Sequence, residues 1–300
     1  RKKRYLITFL ILILGVIAFL LLNICIGTVQ IPLSELKNAV MDGDSKLGRI
    51  VLDIRAPRSF AAMILGGALA LAGYLLQTFF HNPIAGPFVL GISSGAKMVV
   101  ALVMVFLMGQ SISVSSGMMI LAAFVGAMIS MGFVLLMSRR VSRMSMLVVS
   151  GVMIGYICSA ITELVVTFAE DSDIVNLHNW SLGSFSGMSW DNVRTMALVC
   201  GAALVLTVLL SKPIRAYQLG EVYAQNMGVP LRSFRAALIL LSSVLSACVT
   251  AFAGPISFVG IAVPLLKNRL RGYYSMNACK CKGFGRKSQK ICVRRKFRKM

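Results

Sequence analysis

The chain has 300 residues, with 31 Lys and Arg against 10 Asp and Glu, a net charge of +21 and a mean hydropathy of +0.82. Apolar residues make up 57% and charged residues only 14%, whereas a soluble domain carries about 25% charged residues. This composition excludes a disordered chain, a disulfide-rich secreted domain and a water-soluble enzyme, and predicts an all-α, polytopic membrane helix bundle, because a helix satisfies its own backbone in hydrocarbon.

Apolar runs predict spans at about 5–27, 59–80, 90–109, 117–137, 145–168, 192–210 and 234–253, with a shorter eighth stretch at 256–266. The first run follows Arg1, Lys2, Lys3 and Arg4 and has no small-x-small cleavage site after it, so it reads as an uncleaved span. The chain begins with Arg, and its natural start is expected upstream. Arg139, Arg140 and Arg143 follow the fourth run, and Lys212, Arg215, Arg232 and Arg235 separate the sixth and seventh. Alternating spans put all of these on one face, which the charge bias makes cytoplasmic, the N-terminus included. The opposite loops are short (109–116), acidic (Glu170, Asp171, Asp173) or mixed (28–58). Residues 1–266 therefore form a transmembrane domain. Residues 267–300 form a basic tail with 13 Lys and Arg and no acid.

Little in this chain supports catalysis, a metal site or a cofactor. The two histidines, His81 and His178, stand alone. Glu163 is the one carboxylate within an apolar run, and at a helix end it either serves function or simply reaches water. Gly91-Ile-Ser-Ser-Gly95-Ala-Lys97 imitates a phosphate loop, but the glycines are one residue too close, and Lys97 lacks its preceding Gly and following Ser or Thr. Cys25, Cys158, Cys200 and Cys248 lie in apolar runs and read as small apolar residues. Cys279, Cys281 and Cys292, without histidine, make a poor metal pattern.

Other features concern packing and passage. Gly66, Ala70, Gly73 and Gln77 share one helix face, where small residues allow close helix approach. Gln77 either bonds a neighbouring helix or lines a pathway. Two prolines, Pro83 and Pro87, break the chain after the second run. The break Gly254-Pro255-Ile256-Ser257-Phe258-Val259-Gly260 echoes Gly86-Pro87-Phe88-Val89-Leu90-Gly91, and paired interruptions in two halves point to an internally repeated transporter. Between the sixth and seventh runs, residues 219–227 predict a short helix ended by Gly228 and Pro230. It is either a solvated connector or a docking helix for a cytoplasmic partner.

These blocks resemble the FecCD-type ABC importer permeases, which carry iron-siderophore, haem and cobalamin substrates. The resemblance rests on Arg55-Ala-Pro-Arg58, Gly66-Gly-Ala-Leu-Ala70-Leu-Ala-Gly73 with Gln77, Asn82-Pro83-Ile-Ala85, Leu90-Gly91 and Ser94-Gly95-Ala96. It continues through Leu219-Gly220-Glu221, Ala224 and Met227-Gly228, and then Gly254-Pro255 to Gly260 with Pro264. The resemblance implies a permease without enzymatic activity of its own, in the bacterial cytoplasmic membrane. It implies a second permease copy, a cytoplasmic ATPase dimer, an extracytoplasmic substrate-binding protein and lipid as partners, and no nucleic acid. Arg55 and Arg58 would dock glutamates of the binding protein, the guanidinium fork suiting carboxylates. Leu219, Gly220, Glu221, Ala224 and Gly228 would couple to the ATPase. Gly66, Gly73, Gln77, Asn82, Pro83, Gly254, Pro255 and Gly260 would serve translocation or packing.

Departures begin at Leu265, where the family usually has His, and about two of the family's ten spans have no counterpart after Leu266. The acid-free tail is expected to be read in a shifted frame, leaving the chain as written unstable or inactive; translating the other two frames tests this. A native tail touching anionic lipid is the other reading. An ion-coupled secondary transporter is the alternative function, with Glu163 its one candidate acid. A membrane-anchored nucleic-acid or lipid binder acting through the tail is a third, recognisable by steep salt dependence.

Overall fold

A computed structural model describes residues 2–27, 29–32, 35, 41, 45–83, 85–108, 115–140, 144–256 and 258–266. The basic tail lies outside the described residues. Among the described residues there is no strand. The helices are α1 (Lys2–Cys25), α2 (Lys46–Arg49), α3 (Ala56–Phe80), α4 (Ile92–Val103), α5 (Ser116–Arg140), α6 (Met144–Val166), α7 (Asp171–Leu182), α8 (Trp190–Leu209), α9 (Ser211–Gln218), α10 (Glu221–Asn226) and α11 (Leu231–Ala253). A π-helical turn, Ile50–Arg55, joins α2 to α3, and a 3-10 turn, Pro87–Leu90, precedes α4.

Six helical segments, Leu6–Cys25, Lys46–Phe80, Ser116–Ser138, Met146–Val166, Trp190–Leu209 and Leu231–Ala253, are long and apolar enough to cross a membrane. They correspond to six of the eight predicted spans. The third run is shorter than expected: Pro87 and Gly91 spend its first residues on a 3-10 turn, and the apolar helix runs only over Ile92–Phe106. The eighth is also reduced. Residues 254–256 are non-helical and a helix resumes at 259–266, so the chain turns back into the bundle after α11.

Helix α11 is the centre, packed on α3, α5, α8 and α4. Its Ser242, Ser243, Ser246 and Thr250 have no exposed surface. Three of these hydroxyls donate to carbonyls one turn back within α11, whereas Ser242 Oγ donates across to Ala72 O of α3 at 3.0 Å. Cys200 of α8 and Cys248 of α11 are both buried, with sulfurs 3.9 Å apart. Short α4 threads between α5 and α6 on glycines. A Cβ on Gly95 would collide with Ser130 Oγ and approach Gly126 O to 2.6 Å. The phosphate-loop imitation is thus a small-xxx-small packing motif, in which Gly91 and Gly95 let backbones touch.

The two ends of the bundle differ. At one end Trp190 Nε1 donates to Leu52 O at 2.9 Å, and its ring lies 5.8 Å from that of Phe60. At the other, His81 and Gln218 join the end of α3 to α9. This placement agrees with helices that alternate in direction from α3 to α11.

Candidate functional site

Three places in the fold collect the residues singled out from the sequence. The first is the junction where both proline breaks meet. Gly73 faces Gly260 so closely that a Cβ on Gly73 would land on the Gly260 carbonyl. Gly86 faces Ile261, with room for a Cβ only 2.6 Å from Ile261 Cγ1, and Gly260 lies against Pro87 and Leu69 O. Gln77 is buried; its Nε2 donates to Ile261 O at 3.4 Å and its Oε1 has no partner. Gly254 has φ +78°, and its Cα faces Trp180 O and Gly183 at the end of α7. Ser184 N–H donates to Ala253 O at 2.9 Å, tying the same corner.

The echo between the breaks is therefore physical contact. Gly73, Gln77 and Gly260 come together with Gly86 and Pro87, whereas Gly254 packs apart from them against Trp180 and Gly183, with Pro255 next to it in the break. Gly66 does not join them: nothing stands within 4 Å of where its Cβ would be, and it lines a groove against α1 instead. Among the described residues no helix packs on Gly66, since α1 touches α3 only sparsely. Asn82 and Pro83 are exposed beside the junction.

The second place is a platform beyond the ends of α3 and α11. Gly220 (φ +133°) and Gly228 (φ +81°) start and stop α10, conformations that a Cβ disfavours. The helix is two residues shorter at its start than 219–227 predicts, since Leu219 and Gly220 form the turn from α9. Behind α10, Tyr217 is fully buried, with its ring 5.4 Å from Phe234 and 4.8 Å from His81. Its hydroxyl donates to Glu221 Oε1 at 2.8 Å and lies 3.3 Å from Phe79 O. Arg235 pairs with the other Glu221 oxygen at 2.5 Å. His81 Nε2–H donates to Tyr217 O at 3.2 Å, and Gln218 Nε2 reaches Tyr74 and Thr78 on α3.

Burial, then its bond to the Glu221 carboxylate, pushes the Tyr217 hydroxyl up to about 12. Partial burial of Glu221 works against its ionisation, but hydrogen bonds from Tyr217 and Arg235 outweigh that and hold its carboxyl below the ordinary value. The charge is thus fixed at the root of α10. Outward, Leu219, Val222, Tyr223 and Met227 are exposed, while Ala224 is buried and anchors the turn. Sequence reasoning named Glu221 and Ala224 but missed Tyr217, His81 and Arg235. The spacing of Tyr217 and Glu221, one helical turn apart, was the available signal.

The third place is the π-turn before α3. Arg58 is exposed. Arg55, expected to face outward beside it, is buried: its guanidinium donates to Ile24 O at 2.6 Å, to Cys25 O at 3.3 Å and, through Nη2, to Val29 O. The reason is the end of α1, whose last carbonyls lack intrahelical partners and are capped by a cation. Gly27 leaves room for that guanidinium, since a Cβ there would sit 2.6 Å from Nη2. Ser59 Oγ adds a bond to Asn23 Oδ1 at 3.0 Å. Among the described residues no three His, Cys, Asp or Glu converge as metal ligands.

Comparison with known proteins agrees with this arrangement. The sequence model described as the FecCD transport family matches residues 13–279. The vitamin B12 import system permease protein BtuC of Klebsiella pneumoniae is 33% identical over 264 residues, covering 88% of this chain and 76% of that protein. The protein of the same name from Escherichia coli O127:H6 is 34% identical over 248 residues, covering 82% and 72%. A solved structure described as an inward-facing metal-chelate type ABC transporter superposes with a TM-score of 0.75 at 24% identity, covering 87% of this chain and 82% of that one, and speaks for the fold alone. With its apolar helices, paired breaks and platform, this chain is a multi-pass permease of an ABC importer and belongs to the FecCD transport family.

Proposed function

We propose that this chain conducts a ferric siderophore, or a haem- or cobalamin-like chelate, across the cytoplasmic membrane as one half of a permease dimer. The vitamin B12 named for its relatives supports the chelate class. Hydrolysis of ATP belongs to a separate ATPase dimer seated on the α10 platform, at the cytoplasmic end together with the N-terminus. A substrate-binding protein docks at the opposite end, where Arg58 is the exposed cation and Arg55 the buried support beneath it.

The observation that carries this reading is the platform. A six-residue helix and the turns that flank it expose Leu219, Val222, Tyr223 and Met227 while the root is pinned by Tyr217, Glu221 and Arg235. Apolar side chains on a rigidly held short helix suit a protein groove and not water. The junction supplies the moving part, since Gly–Pro backbone at membrane depth lets half-helices shift without breaking a continuous ladder.

The test is uptake into liposomes carrying this chain with its ATPase and binding protein. Labelled cobalamin or ferric siderophore accumulates only with internal ATP, and Val222→Asp abolishes accumulation while the complex still inserts. Accumulation driven by an ion gradient without the ATPase overturns the reading.

A further inference from the structure

Lys97, half-buried within α4, and Glu163, exposed one turn before the end of α6, are charges on apolar helices, and the structure puts both on one pocket. The pocket, about 180 Å³, lies between α4, α6 and α7 and is lined by Lys97, Thr162, Glu163 and His178 with an apolar wall of Val166, Ile174 and Leu177. Among the described residues the ion pairs are Arg194–Asp191 and Arg235–Glu221, so the ammonium of Lys97 and the carboxylate of Glu163 share a void without joining across it. A charge on an apolar helix is costly unless something offsets it. Here each charge faces the pocket from a different helix, and neither side chain has a partner among the described residues.

The remaining polar groups sharpen the polarity of the space. Thr162 Oγ1 spends its proton on Cys158 O at 2.8 Å, so it offers the pocket lone pairs only. Thr162 and Glu163 therefore make an acceptor side suited to an ammonium. Lys97 makes a donor side suited to a carboxylate, and His178 can add an N–H. A cavity of about 150 Å³ admits a benzene ring, so the apolar wall has room for a branched or aromatic side chain.

We propose that this pocket binds a small apolar zwitterion of the α-amino-acid class, its carboxylate on Lys97, its ammonium on Glu163 and Thr162, and its side chain on Val166, Ile174 and Leu177. The site goes beyond the permease reading and is independent of which chelate is carried. It supplies the counter-charges that both side chains lack, and it bridges α4, α6 and α7 when filled.

Equilibrium binding to the full chain in lipid nanodiscs tests it with three probes of one shape: leucine, 4-methylpentanoate, which lacks the amine, and 3-methylbutylamine, which lacks the acid. Leucine is expected to bind at least about tenfold more tightly than either single-charge probe, as loss of one charge-assisted contact demands. Lys97→Gln is expected to weaken leucine about tenfold and leave 3-methylbutylamine unchanged, with Glu163→Gln giving the mirror result. If the three probes bind alike, or leucine does not bind the unmodified chain, the proposal is overturned. The probe series needs no variant, so it decides the matter even where Lys97→Gln inserts poorly. Loss of chelate uptake with leucine binding preserved would count against the permease reading alone.

Discussion

Helices α1 and α11 are both apolar enough to span a membrane, yet none of the window in α1 is buried in the structure and 72% of that in α11 is. The more apolar of the two is the one on the outside. In water this would be backwards; in lipid it follows, because chains of methylenes solvate Leu and Ile as well as a protein interior does. What buries α11 is its small and hydroxyl-bearing residues, Ser242, Ser243, Ser246, Ala247 and Thr250, which let α3, α5 and α8 come close. Helix α1, almost all Leu, Ile, Phe and Val between residues 6 and 22, offers no such seam.

The contrast is broken most severely at the junction on which the α3–α11 centre rests. Gly73→Leu places a side chain on the Gly260 backbone and is expected to cost about 3 kcal/mol or more, seen as loss of folded protein in detergent. Gly15→Leu in α1, with nothing within 4 Å, is expected to leave yield and melting unchanged. Equal loss for both would mean that glycine content, not close approach, matters.

Next in size is the platform. Glu221→Gln leaves Arg235 without its counter-charge and is expected to cost about 1–3 kcal/mol, read as faster hydrogen exchange across residues 217–228. The wild-type platform should also respond to pH at both limits. Glu221, held below its ordinary value, stabilises the fold above the unfolded carboxylate range, and that contribution is lost as pH falls through its lowered value. Tyr217, raised from 10.0 to about 12, contributes stability that is fully present below pH 10 and is lost as pH climbs through that interval. Protection of these amides, relative to their intrinsic exchange, should therefore fall in strong acid and again in strong alkali. Tyr217→Phe should remove the alkaline limb and shrink the acid one, since its bond helps hold Glu221 low.

The smallest effect separates two neighbours on α11. Ser242→Ala removes a bond to Ala72 O and is expected to cost about 0.6 kcal/mol, the mean for such contacts in membranes. Ser243→Ala removes only an intrahelical bond and should lie near zero, as measured by steric-trapping or denaturant unfolding.

This same physics set what could be read in advance. Long apolar runs announce themselves, and six of them became spanning helices with boundaries a few residues off. The Gly–Pro breaks were visible as a pair, but their contact is not, since it depends on the fold returning residues 259–266 to α3. Helix α7 was missed because its polar residues Asp171, Asp173, Asn176 and His178 read as an external loop. The inward turn of Arg55 was missed for another reason. A cation in an Arg-Ala-Pro-Arg run reads as a surface residue, and only the uncapped carbonyls of a helix thirty residues earlier recruit it.

That guanidinium carries mechanical meaning. Helix α1 holds to the rest of the chain chiefly where Arg55 grips its last turn, with Asn23 and Ser59 beside it, and a groove of about 340 Å³ separates the two helices further along. A rod fastened at one end and slack at the other pivots about its fastening. Load on α1 is therefore carried by its last turn into Arg55, at the π-turn that leads to α3 and the exposed Arg58.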